Sequence, residues 1–112
     1  MPKAAKPSIR FFHSAALRTR SNKVLGAIEK DRDPRQHAAA LSSVVVDLTE
    51  AGLEYYFLRP LQQAKVGFVA RQTASFGLAG ALRVMSPIIR SILGGMNATQ
   101  LQVTTRHIRQ LM

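Results

Sequence analysis

An all-α fold is what the sequence predicts, a small bundle of about four to five helices behind a basic N-terminal arm, and three observations predict it. Apolar residues recur at steps of three and four along most of the chain, the period of a helix face. Residues suited to helix capping stand before these periodic stretches. No stretch alternates apolar and polar residues over a useful strand length, and the one β-branched run, Val44 to Val46, falls inside a helical period. With 112 residues the chain has the length of one domain, expected over residues 9–112, with the arm over residues 1–8. The absence of cysteine excludes a disulfide scaffold and a cysteine–zinc site.

The elements follow in order. MPKAAKPS carries two prolines and two lysines among small residues, the composition of a mobile arm. Ser8 is placed to cap a first helix from Ile9 to about Lys30, whose apolar positions (Phe12, Ala16, Leu17, Val24, Leu25, Ile28) are loosely periodic. The acid-free, Arg- and Ser-containing residues 1–28 also have the composition of a mitochondrial transit peptide.

Asp33-Pro34-Arg35-Gln36 marks the next start: Asp as N-cap, Pro at the first helical position, and Gln placed to reach back. From it Leu41, Val44, Val45, Leu48, Ala51 and Tyr55 recur at helical spacing, with Val46, Leu53 and Phe57 on a second face, so this helix is expected to be buried on more than one side. Pro60 is expected to end or kink it near Arg59. Residues 61–93 are acid-free and form either one kinked helix or two, with Pro87 breaking or bending the chain before Ile88 and Gly94-Gly95 closing it. Asn97-Ala98-Thr99-Gln100 repeats the capping pattern and opens a last helix to the terminus.

Charge narrows the function classes. The net charge is +10, and all six acids (Glu29, Asp31, Asp33, Asp47, Glu50, Glu54) lie in one window. Residues 1–28 carry +6, residues 55–112 carry +7, and the window between them −3. Such an excess points to an anionic partner rather than to a fold. Chemistry, by contrast, is not gathered anywhere. His13, His37 and His107 have no second ligand at metal spacing, and none of the eight serines has a base and an orienting group beside it. Asp47, Glu50 and Glu54 share a helical face, which reads more readily as a solvent- or partner-facing stripe than as an acid–base pair. Gly77-Leu78-Ala79-Gly80 lacks the Lys and Ser/Thr of a phosphate loop. The chain is therefore expected to be non-enzymatic and to carry no cofactor or metal.

On a continuous helix Lys65, Gln72, Arg83 and Arg90 fall within about 20 degrees of one another, a cationic stripe opposite a broad apolar side. With Arg71, Arg106 and Arg109 these cations are the candidate anion-binding residues. Leu78, Leu82, Met85, Ile89 and Ile92 alternate steps of four and three and are the candidate self-association seam of a homo-oligomer. Core packing explains the apolar side more readily than lipid, yet leaves a purely positive polar face unexplained. Within residues 65–93 the longest uncharged run, Gln72 to Leu82, is 11 residues and short of a bilayer span. Tyr55-Tyr56-Phe57 next to Arg59 suits the corner between two helices, and also suits base stacking or headgroup depth. The expected function is an interaction module docking an anionic surface, an acidic membrane face ahead of nucleic acid, with a protein partner as the remaining reading. The lack of an apolar signal region favours the cytoplasm, at the membrane periphery where a membrane is engaged.

Overall fold

The structure is a computed structural model and describes residues 10–112, all of whose regular elements are helical. The arm expected over residues 1–8 and its Ser8 cap lie outside the described residues. Helix α1 spans Ala15–Lys30, α2 Ala38–Leu53, α3 Arg59–Gln63, α4 Phe68–Gly94 and α5 Ala98–Leu111. The all-α class of the sequence reading is what the chain adopts.

Several boundaries differ from expectation, each for a local reason. The first helix begins at Ala15 rather than Ile9, because Ser14 provides the cap: its Oγ accepts the Leu17 N–H at 3.0 Å. At the second boundary Asp33 makes no side-chain cap bond. Asp31 organises the turn instead, its carboxylate accepting the Asp33 N–H at 3.0 Å, Gln36 Nε2 at 2.6 Å and His37 Nε2 at 2.8 Å. These bonds, the Asp33 backbone N–H foremost and then His37, hold the Asp31 carboxyl below the ordinary aspartate value. Pro34–His37 forms one 3-10 turn, and the α-helix proper starts at Ala38.

Pro60 does not end the second helix. The backbone passes through a π-turn over Glu54–Leu58, in which the Arg59 N–H reaches back to the Glu54 carbonyl, and continues as α3. Widening the turn by one residue just before the proline moves the carbonyl row that its ring would strike. The helix ends only after Gln63. There Val66 N–H bonds the Leu61 carbonyl and Lys65 N–H the Gln62 carbonyl, with Lys65 at φ 56°, a Schellman closure with lysine where glycine is usual. Residues 68–94 are one unbroken helix. Pro87 is exposed, so the Arg83 carbonyl it leaves without a donor faces the surface, where water can satisfy it. Asn97 and Gln100 form the reciprocal capping box expected of them, at 2.8 and 2.9 Å.

The main core cluster joins four of the helices. Leu25 and Ile28 of α1, Ala38 and Leu41 of α2, Leu93 of α4 and Leu101 of α5 form a single buried cluster, flanked by Val24, Val45, Ile89, Met96, Ile108 and Met112. It gathers the C-terminal half of α1, the start of α2, the end of α4 and the start of α5. The described chain measures 52 × 42 × 22 Å. The short dimension is about two helix diameters of 10–12 Å, so a helix in one layer has its outer side uncovered.

Candidate interaction surface

Helix α4 is the element this thin architecture leaves most open. Of its 27 residues only Leu78 and Leu93 are buried. Phe68, Val69, Phe76, Val84, Met85, Ile88 and Ile92 are all exposed, Phe76 by 74% and Val69 by 76%. The sequence assigns this apolar side chiefly to the core, and the structure corrects that: α4 packs on α2, and of its side chains only Leu78 and Leu93 are buried.

The directions around α4 are set by its two buried leucines. On a helix turning about 100 degrees per residue, Phe76, Val69 and Val84 lie within about 50 degrees of the direction opposite Leu78 and Leu93. Arg83 lies about 70 degrees to one side of that direction and Ile88 about 70 degrees to the other. The outward face thus carries Phe76, Val69 and Val84 around a middle of Thr73, Gly80 and Ser91, with Gln72, Arg83 and Arg90 along one edge. Helix α4 also has the length and composition to cross a membrane, with a mean hydropathy of 1.4 over its most apolar 18 residues, of which 11% are buried.

The expected anion-binding residues separate into three groups. Arg71, Arg83 and Arg106 are exposed and make no side-chain hydrogen bond or ion pair among the described residues. Arg90 also stands at the surface, but is held across α2 by a 3.0 Å bond from its Nη1 to Ser43 Oγ. Lys65 and Arg109 do not belong to a stripe on α4. Lys65 sits in the turn before the helix, in left-handed backbone, so a helical wheel does not place it. Arg109 is occupied within the chain, donating to Glu29 at 2.7 and 3.4 Å and to Asn22 at 2.8 Å. That bond from Arg109 pulls the Glu29 carboxyl below its ordinary value, and Glu29 in turn raises the guanidinium.

The expected self-association seam divides likewise. Leu78 is buried, and Leu82 and Ile89 are half-buried on the side of α4 that meets the rest of the chain. Met85 and Ile92 remain exposed, beside Ile88. The acidic stripe lies along an open groove beside cations of both basic segments. Asp47, Glu50 and Glu54 line an open groove of about 720 Å³ with Phe12, His13, Tyr55 and Arg59. Asp47 pairs with Arg20, and Arg59 lies 5.1 Å from the centre of the Tyr55 ring. Tyr55 meets Phe12 and Tyr56 meets Phe11 edge to face, filling the corner where residues 10–14 return along α2. Phe11 also covers Gly52, 3.6 Å from where a Cβ would stand, so that glycine seats an aromatic ring and not a helix. Among the described residues no group of three His, Asp or Glu stands close enough to hold a metal ion.

One cation was not singled out from the sequence. Arg35, in the turn before α2, shares a crevice with Arg90. The two are 55 positions apart, and only the packing of α4 on α2 brings them together.

No protein-family model, curated protein or solved structure matches this chain. The functional reading therefore rests on its own geometry.

Proposed function

We propose that the protein is a non-enzymatic helical module that docks on an anionic membrane surface through the outward face of α4. The observation that carries this reading is the combination on one helix of exposed apolar side chains, a cationic edge and no acidic residue at all. In a membrane interface Phe76, Val69, Val84 and Ile88 would enter the headgroup–acyl boundary, while Arg83 and Arg90 reach lipid phosphates beside it. Each cation near an acidic leaflet adds about 1 kcal/mol.

An in-plane position suits this helix better than a span. A 27-residue helix is about 40 Å long, enough to cross roughly 30 Å of hydrocarbon. Crossing would place Arg83 near mid-membrane, at a cost of about 2.5–3.5 kcal/mol, and strip α4 from α2. Lying flat costs neither.

The test is a titration of the chain against vesicles of phosphatidylcholine alone, against vesicles with added phosphatidylglycerol, and against a short DNA duplex, each at low and near-physiological salt. Binding to the anionic vesicles that survives added salt is the expected result, because apolar insertion is not screened. Tighter binding to DNA, with a steep loss in salt, would replace this reading by phosphate-backbone recognition. Silence towards both would leave a protein partner.

A further inference from the structure

The chain carries a second, more selective feature on the cationic edge of α4. Where the start of α2 passes the end of α4, Arg35, Ala38, Ala39, Ser42, Arg90 and Gly94 line a crevice of about 330 Å³. This volume is at the small end of the roughly 300–1,000 Å³ range of ligand pockets. Apart from the two arginines its lining residues, Ala38, Ala39, Ser42 and Gly94, are small. No carboxylate lines it. Asp31 and Glu29 are engaged elsewhere: Asp31 accepts from His37, Gln36 and the Asp33 backbone, and Glu29 accepts from Arg109.

Arg35 and Arg90 are both exposed and both line the crevice, so two cations border it with no carboxylate among its lining residues. Arg90 is also held in place, by its 3.0 Å bond to Ser43. Ser42 spends its proton on the Ala38 carbonyl at 2.9 Å, so the donors left to meet a ligand are those of the two arginines. Paired planar forks match a phosphate bearing several free oxygens.

We infer that this crevice is a phosphate-monoester site, and that its occupant is the headgroup of a phosphatidic-acid-type lipid in the surface on which α4 docks. The lipid assignment rests on the proposed membrane reading, and the phosphate chemistry does not. Because the crevice opens on the Arg90 edge, a headgroup seated there would place its acyl chains beside the outward apolar side of the helix.

The two layers of the inference have separate tests. In the first, inorganic phosphate is titrated into the full chain and backbone amide resonances are followed. Saturable shifts confined to Arg35, Ala38, Ala39, Ser42 and Gly94 are expected, weakened roughly tenfold in Arg35→Gln and in Arg90→Gln. Arg→Lys at either position keeps the charge but not the fork, and is expected to fall between. Shifts spread over the chain's cations, or unchanged in these variants, would overturn the site.

In the second, vesicles containing phosphatidic acid are compared with phosphatidylglycerol vesicles matched in surface charge. A preference for phosphatidic acid that disappears in Arg35→Gln and Arg90→Gln is the expected outcome. Phosphate binding without that preference would overturn the lipid as occupant and leave a soluble phosphate ester. Val84→Asp separates the two readings: it should abolish vesicle binding and leave the phosphate shifts intact. If it leaves vesicle binding unchanged, the outward face is not the docking surface, whatever the crevice binds.

Discussion

Helices α4 and α5 are neighbours in sequence, joined through Gly95 to Asn97, and they use their amphipathic patterns in opposite ways. The 14 residues of α5 include more polar side chains than apolar ones, yet the helix is tied in along its length. Leu101 and Thr105 are fully buried, Gln102 donates to the Ile28 carbonyl at 2.7 Å, and Arg109 clamps Glu29 and Asn22. The 27 residues of α4 are far more apolar and bury two side chains. One side of α5 is thus consumed by the fold, with Val103 and Leu111 left exposed, whereas most of the apolar pattern of α4 is left over. A sequence period shows that a helix has two faces, and only the packing shows which face the fold uses.

The largest effect that could break this comparison is on stability. Leu101→Ala in α5 should cost about 2–5 kcal/mol, since Leu101 has no exposed surface and lies in the core cluster. Ile88→Ser in α4, where the side chain is 54% exposed, should stay within about 0.5 kcal/mol. Denaturant unfolding of both variants decides it, and equal losses would mean that α4 is covered in solution.

A smaller effect sharpens the α5 side. The hydroxyls of Thr105 and Ser21 are buried without a hydrogen-bond partner in the chain. Removing such a group while keeping its shape relieves a desolvation penalty, so Thr105→Val should raise the unfolding midpoint, by an amount corresponding to about 1 kcal/mol. At the entrance to α4, Lys65→Gly should stabilise by a similar or smaller amount, roughly 1 kcal/mol, because lysine there holds a left-handed backbone at φ 56°. Unchanged unfolding of that variant would mean that the turn is not strained.

The smallest effect concerns pH. Glu29 has its native pKa depressed, first by the hydrogen bond from Arg109, so its stabilisation is complete above the ordinary value of 4.5 and is lost as pH falls through the lower native value. Asp31, depressed by the Asp33 N–H and His37, acts in the same direction from its ordinary 3.8 downward. Glu29→Gln should therefore narrow the stability difference between pH 6 and pH 3. At neutral pH it should cost about 0.2–1 kcal/mol, because the pair is partly exposed. An unaltered acid profile would assign the acid sensitivity elsewhere.

What could be read from the sequence follows the range of the interactions. The all-α class and the start of α5 were legible, since Asn97 and Gln100 meet within one turn. The Gly94 end of α4 was legible for the same reason. The closure at Lys65 was hidden because lysine does not announce a left-handed cap, and the π-turn before Pro60 leaves no periodic signature. Arg109 reads as one more exposed cation until α5 docks on α1 and brings Glu29, 80 positions away, within hydrogen-bond distance. The pairing of Arg35 with Arg90 is of the same kind. The openness of α4 was invisible for a different reason: Leu78 and Val84 are equally apolar letters, and only the two-layer thickness of the fold separates the buried one from the exposed one.

The central claim, that the outward face of α4 enters a lipid surface while α5 does not, can be read optically. The chain contains no tryptophan, so Phe76→Trp on α4 and Val103→Trp on α5, both at exposed positions, each introduce a single reporter. With anionic vesicles whose acyl chains carry bromine, the account predicts a blue-shifted emission and strong quenching for F76W, and an aqueous, unquenched emission for V103W. Emission from F76W that stays aqueous while the protein is vesicle-bound, or quenching of both reporters alike, would contradict it.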